Sequence, residues 1–411
     1  MRFYCAAINA SLLFLPATSG AGELAIPAAS QGPTATQKLV EQLSNDDYAL
    51  RESASAGLLK LGAAALPAVR AAAQSPDPET RLRAGRLLLQ LERISFEQTV
   101  DAFVGDIRGL GGNALPGWEE FRRVVGKDVA TRTLFAEVYR SDPRLLDAAF
   151  GANRDDSAAS NRLMALLEQR ASERHDASDA GTPRSHDAVA QRLAVLTVAT
   201  AEPSCVTDRA AQLVTQAART ELASVAVRET SRGHMTRRLL TRWITDSQTD
   251  DLYVLSQLLQ LADRLKLRAA CPLAIDIACG RRAVRPAHSQ FRATALLMVG
   301  KLGDGSCVPQ LRPLLEDDAV CASHAGRGPK RENLLDVEIR DVALAVILHL
   351  EGEKPRDFGY EVLISNEEKL FLMHSLAFRS VADRQSAVQQ WRTGGDGRIR
   401  VAGGQAGPNV R

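Results

Sequence analysis

Asp47-Tyr48-Ala49-Leu50-Arg51-Glu52-Ser53-Ala54-Ser55-Ala56-Gly57-Leu58-Leu59-Lys60-Leu61-Gly62 is the stretch whose reading decides the fold, because it recurs. Thirty residues on, Asp77 leads into Arg81, Ala84, Leu88, Leu91 and Glu92, which repeats Arg51, Ala54, Leu58, Leu61 and Gly62 at four of five positions. The same offsets return at Arg292, Ala295, Val299, Leu302 and Gly303, and again at Arg340, Ala343, Ile347, Leu350 and Glu351. Self-similarity at a fixed internal spacing is the mark of repeat architectures.

Offsets of 3, 7 and 10 from the arginine put the alanine and the aliphatics on one stripe of an α-helix. The small alanine lets a second helix come close. Gly62 and Gly303 stand where a left-handed residue stops a helix. Asp47, Asp77 and Asp336 precede the arginine by four residues and are placed to cap the helix start, while His288 takes that slot in the third copy. Helices are also expected ahead of these, over Thr36–Leu43, Leu66–Ala73 and Val308–Leu315, with Pro67, Pro76 and Pro78 as punctuation. The unit is therefore a helical hairpin, which cannot bury its apolar face alone and must stack on a neighbour. The arginines Arg51, Arg81, Arg292 and Arg340 read as structural, each bonding to the carboxylate of a neighbouring turn.

The pattern Asp-x-x-aliphatic-Arg-x-x-Ala followed by spaced leucines resembles the HEAT family. A longer likeness runs through Leu115-Pro116-Gly117-Trp118-Glu119-Glu120-Phe121-Arg122, Leu134 to Glu137, Pro309 to Cys321, Arg340 to Ala345 and Asp357 to Tyr360. These stretches are similar to exported HEAT-containing proteins of planctomycete bacteria, whose motifs carry no known chemistry. The resemblance implies an all-α fold of HEAT-like helical-hairpin repeats, forming an α-solenoid or two helical repeat domains. The nearest enzymatic precedent in such a family is its bilin-lyase-like branch, and no chromophore-handling motif stands in this sequence to support it.

Composition agrees with helices. The chain has 411 residues, 45% hydrophobic and only 5% aromatic, so the alanine and leucine that favour helices outweigh the residues that favour strands. Little or no sheet is expected. Residues 1–21 read as a signal peptide: Met1-Arg2, an apolar run from Phe3 to Pro16, then the small residues Ser19-Gly20-Ala21. The expectation that follows is export to the periplasm, cell envelope or medium. A flexible segment over 22–35 leads into a first helical domain over 36–150, with helices near Phe96–Arg108, Trp118–Val125 and Lys127–Arg140 and a Gly109–Gly112 turn. A polar linker over 151–187 carries a short helix near Leu163–Arg170. A second helical domain spans 188–393 with repeats near 287–352, interrupted by a loop over Ala322–Asn333, and residues 394–411 read as a disordered tail. No other stretch has the roughly 20 apolar residues of a membrane span.

Motifs of catalysis are scarce. The seven histidines show no H-E-x-x-H, no paired C-x-x-C appears, and Gly300-Lys301-Leu302-Gly303 is the end of a repeat helix instead of a phosphate cradle. No cofactor, metal or catalytic residue is assigned. Behind the signal stand Cys205, Cys271, Cys279, Cys307 and Cys321, an odd set; Cys307 and Cys321 could bridge, Cys271 and Cys279 are too far apart along one helix, and all five also read as small buried hydrophobes. The acid pairs Asp46-Asp47, Asp250-Asp251 and Asp317-Asp318 fit helix starts.

The formal charge of +2 argues against the whole molecule acting as a trap for nucleic acid, and export removes that partner. Locally, Arg228, Arg232, His234, Arg237, Arg238 and Arg242 cluster with Trp243, and Arg281, Arg282, Arg285 and Arg292 follow. Two readings stand: a solvated mixed face, or an anion-binding patch for an acidic protein or polysaccharide. The function expected from these features is a non-catalytic scaffold that binds another protein through a concave or loop surface. The alternatives are an enzyme of the lyase-like branch and a structural component of an envelope assembly.

Overall fold

The computed structural model describes residues 35–109, 111–151, 157–173, 186–282, 288–325 and 334–398. The expected signal peptide, nearly all of the 22–35 segment and residues 399–411 lie outside them. The chain divides into two compact units, at Gln98/Thr99. Both are predominantly helical.

In the first unit, α1 (Ala35–Glu41) and α2 (Tyr48–Leu61) form one hairpin, and α3 (Leu66–Ala72) leads into α4 (Pro78–Gly105), whose residues from Thr99 on belong to the second unit. Asp47 caps α2 by accepting the Ala49 amide at 2.8 Å, and Gly62 ends it in the left-handed region at φ +59°. Asp77 caps α4, accepting the Thr80 amide at 2.8 Å and its hydroxyl at 2.5 Å, bonds that hold the carboxyl below its ordinary range. The core uses part of the expected stripe: Ala54 and Leu58 of α2 join Ala84 and Leu91 of α4, with Leu43 and Val69, but Leu87 is buried there and the expected Leu88 only partly so. Leu61, the third aliphatic of the first stripe, is instead 41% exposed. The helix expected over Phe96–Arg108 is no separate element. Glu92 stands where the first copy has Gly62, and nothing there stops α4, which runs on for 28 residues.

The second unit holds α5 (Trp118–Val125), α6 (Val129–Ser141), α7 (Pro143–Phe150), α8 (Ser157–Ser172), α9 (His186–Ala201) and α10 (Asp208–Ala217). A π turn over Ala218–Leu222 and the short α11 (Ala223–Ala226) lead to α12 (Ser231–Asp246) and α13 (Leu252–Arg264). The polar 151–187 stretch does not separate two compact units as expected. α6 packs on α9, and α8 packs on α7, α9 and α10. The reason lies in α8, twice the expected length at 16 residues, whose Leu163, Leu167 and Ala171 are buried.

The helices carrying the later copies of the sequence pattern follow: α14 (Cys271–Ala278) packs on α15 (Ser289–Leu302), and α15 packs on α17 (Ile339–Leu350), which the short α16 (Val308–Leu311) precedes. Ala295, Val299 and Leu302 are buried on α15, as are Ala343 and Ile347 on α17. Gly303 is extended, φ −85°, where a left-handed stop was expected. The loop expected over Ala322–Asn333 is partly strand. An antiparallel hairpin, β1 (Val320–Ala325) and β2 (Leu334–Glu338), pairs Ser323 with Asp336 and His324 with Leu335, with an irregularity between Val320 and Ala322. Asp336 is consequently no helix cap: it lies in β2 and accepts the Ser323 hydroxyl at 2.9 Å, and Glu338 with Asp341 forms a capping box at the start of α17. A second ribbon, β3 (Ser365–Asn366) with β4 (Leu370–Phe371), precedes α18 (Val381–Arg398), which continues through the first residues of the expected tail.

The four arginines of the sequence pattern make their contacts in two ways. Arg51 donates to the Asn45 and Asp46 carbonyls at 2.7 and 2.9 Å, and Arg81 to those of Ser75 and Pro76 at 2.7 and 3.2 Å. In these copies the acceptor is the backbone of the turn and not the carboxylate that was expected. Carboxylates do serve the later pair: Arg292 reaches Asp317 at 2.5 Å and the Ala278 carbonyl at 2.8 Å, and Arg340 pairs with Glu338.

Candidate functional site

Three helices of the second unit meet along one groove. α5 starts at Gly117, left-handed at φ +85°, where any Cβ would lie 2.6 Å from the Phe150 ring. Its Trp118, Phe121 and Val125 turn inward, and Phe121 and Trp118 stack with Phe135 at 5.0 and 5.5 Å between centroids. The buried Arg132 guanidinium lies over Phe103 at 4.4 Å and Trp118 at 5.0 Å and donates to the Phe103 carbonyl at 2.6 Å. This cluster anchors the inner face of α5 and leaves Arg122 and Arg123 outside.

α12 is set by its own entry turn. Thr230 caps it by accepting the Gly233 amide at 3.0 Å, and a Cβ at Gly233 would lie 2.1 Å from the Arg228 carbonyl oxygen. Met235, Thr236, Leu239, Leu240, Trp243 and Ile244 are then buried, with Arg238 and Arg242 on the exposed side. α12 packs on both α5 and α9. The resulting groove has a volume of about 610 Å³ and is lined by Glu120, Phe121, Arg123 and Val124 of α5, Thr197, Thr200 and Ala201 of α9, and Arg238, Leu239, Thr241, Arg242 and Thr245 of α12, with Ala269.

The expected basic patch is thus divided. Arg238 and Arg242 line the groove: Arg238 donates to the Val125 carbonyl at the end of α5, and Arg242 pairs with Asp246 at 2.6 Å. Arg232 pairs with Glu137 and Arg237 donates to the Leu265 carbonyl, so both tie α12 to its neighbours. His234 lies beside Glu229 at 3.5 Å on the surface, and Arg228 is exposed; neither lines the groove. Trp243 is buried, donates from Nε1 to the Thr215 hydroxyl at 3.2 Å, and lines a smaller pocket of about 130 Å³ instead. Arg281 pairs with Asp276 at 3.0 Å, Arg282 donates to the Ser247 carbonyl at 2.7 Å, and Arg285 lies outside the described residues.

Arg123 was missed in the sequence. The signal was present, since α5 places it opposite Trp118, Phe121 and Val125, but its distance in sequence from the α12 arginines hid the convergence. It makes no ion pair among the described residues, so its charge is free to face a ligand. The threonine hydroxyls already donate to their own helices, Thr197 to Leu193, Thr200 to Leu196 and Thr241 to Arg237, which leaves their lone pairs as acceptors. The groove therefore holds three guanidinium groups, of which Arg123 is unengaged among the described residues while Arg238 donates to the Val125 carbonyl and Arg242 pairs with Asp246, together with one carboxylate from Glu120 and an apolar floor. It suits an extended anionic chain.

Cys205 and His234 do not line the groove. Among the described residues no group of three or more His, Cys, Asp or Glu is placed to hold a metal, and no helix is long and apolar enough to cross a membrane. The chain matches no family model, no curated protein and no solved structure.

Proposed function

We propose that this chain is an exported HEAT-like helical scaffold that holds an acidic segment of another protein in the groove between α5, α9 and α12. The observation that carries the reading is the convergence of Arg123, Arg238 and Arg242 from two helices on one groove of about 610 Å³. Charged side chains brought together from separate elements make a field that one helix face alone does not. The repeat reading is supported by the direct packing of α15 on α17 and by the common fastening of Arg51 and Arg81.

The test is direct binding of a fluorescein-labelled poly-glutamate peptide to the full chain, followed by anisotropy. Binding that weakens about tenfold in the Arg123→Ala/Arg242→Ala variant and falls with added salt supports the reading. Equal binding to wild type and variant, or none to either, sinks it.

A further inference from the structure

Gly303 has an ordinary extended backbone that any residue could adopt, so its conformation does not require glycine. Space does. A Cβ there would lie 2.7 Å from the Val299 carbonyl oxygen, 2.9 Å from the Cys307 sulfur and 3.5 Å from the Cys271 sulfur, so both thiols border the place that a side chain at 303 would take. Cys271 opens α14 and Cys307 closes the turn Gly305–Cys307 ahead of α16. The two sulfurs thus flank one point, and each cysteine is 7% exposed. Both sulfurs are unlinked here. Two other cysteines engage different neighbours: Cys279 donates to the Gln310 carbonyl at 3.7 Å and Cys321 to that of Val337 at 3.2 Å.

We infer that Cys271 and Cys307 form a dithiol pair that closes to an intramolecular disulfide when the folded chain meets a disulfide oxidant such as oxidised glutathione. One thiolate attacks a glutathione sulfur and releases reduced glutathione; the second thiolate then attacks the protein sulfur of the mixed disulfide and releases another. The chain loses two protons and two electrons, and one glutathione disulfide becomes two thiols. The bond fastens the start of α14 to the turn before α16 across a loop of roughly 35 residues, which restricts the unfolded chain. The pairing differs from the Cys307–Cys321 bridge that spacing alone allowed, because Cys321 lies in β1 with its thiol turned to β2. The inference is independent of any ligand in the groove.

The experiment incubates the folded full-length chain with oxidised glutathione, alkylates remaining thiols, and maps peptides without reduction. The expected result is one linked pair, Cys271 with Cys307, together with a thermal midpoint raised by about 5 °C that reverts with dithiothreitol. Gly303→Ala, whose Cβ would lie within 3.5 Å of both sulfurs, should lower the yield of that pair several-fold in chain shown by circular dichroism to be folded. Persistent glutathione adducts, two alkylated thiols, or linkage of Cys307 to Cys321 would overturn the inference. So would an undiminished yield in folded Gly303→Ala.

Discussion

Arg384 of α18 sets its Nε and Nη2 against the two carboxylate oxygens of Asp341 on α17, at 2.6 and 3.0 Å, with both side chains buried. The pair is the centre of a wider network. Arg384 also reaches Glu338 at 3.2 Å, Asp341 accepts the Glu338 amide at 2.9 Å, and the buried Tyr360 donates its hydroxyl to the Asp341 carbonyl at 2.6 Å. Burial pushes the Asp341 carboxyl up, against the pull of Arg384. Removing one partner strands the other charge in the core, which costs about 3–5 kcal/mol. Asp341→Ala and Arg384→Met should each lower stability by that order in urea titration. The double variant should cost less than the sum by about 2 kcal/mol, and strict additivity would show that the two charges are not coupled.

Asp263 gives stability a defined acid limb. Its carboxyl is desolvated, which raises it, but the ammonium groups of Lys301 and Lys266 overcome that and hold it below the ordinary 3.8. Lys301 is only 9% exposed and donates to Asp263 and to the Glu368 carbonyl, while Lys266 lies at 2.9 Å from Asp263. A carboxyl depressed in the folded state stabilises the protein above its unfolded value, and that contribution disappears as pH falls through the lowered folded value. The wild type should therefore lose stability on acidification below about pH 4 with a steeper slope than Asp263→Asn. At neutral pH Asp263→Asn should already be weaker, since Lys301 keeps its charge without its partner. Superimposable pH profiles for the two proteins would refute this account.

The repeat arginines are tested by the geometry of their fork. One guanidinium nitrogen of Arg51 serves two carbonyls of the turn before α2, and Arg81 repeats the arrangement before α4. Arg51 is the better enclosed of the two, so Arg51→Ala should cost about 1–2 kcal/mol and Arg81→Ala less. Lysine, a point donor on a flexible stem, should restore only part of the loss. Hydrogen exchange at the amides of α2 reports the effect locally; full protection in Arg51→Ala would mean the turn needs no fastening.

What the sequence made legible was governed by distance along the chain. The offsets of 3, 7 and 10 located the buried Ala54, Leu58, Ala84, Leu91, Ala295 and Val299 because a helix brings those positions together by its own period, but they also named Leu61, which is exposed, and Leu88 and Leu350, which are half-buried. Gly62 announced a stop, and Glu92 at the same place announced none, a difference that could have been read as the long α4. Asp336 misled, since an aspartate four residues before the arginine looks the same whether a turn or a strand precedes the helix. The groove was half legible: Arg238 and Arg242 lie on one helix, but Arg123 joins them only through packing of α5 against α12. Arg232 and Arg237 carried the same local signal and proved to be fastenings. Arg384 could not be matched to Asp341, 43 residues away, by any local pattern.

Two glycines separate backbone strain from collision at the entry to α5. Gly112 and Gly117 both have positive φ, +67° and +85°, but a Cβ at Gly112 meets nothing within 4 Å whereas one at Gly117 strikes the Phe150 ring. Gly112→Ala should thus cost about 1 kcal/mol, the penalty of a left-handed alanine alone. Gly117→Ala carries the same strain and must also move Phe150 or tilt α5, for a total of about 2–4 kcal/mol. Because α5 holds Phe121 and Arg123 along the groove, the tilt should also weaken poly-glutamate binding several-fold, and Gly112→Ala should leave it unchanged. Near-ultraviolet circular dichroism of Trp118 follows the displacement directly. Equal destabilisation by the two substitutions would place the whole cost in the backbone and leave Phe150 without a role in seating the helix.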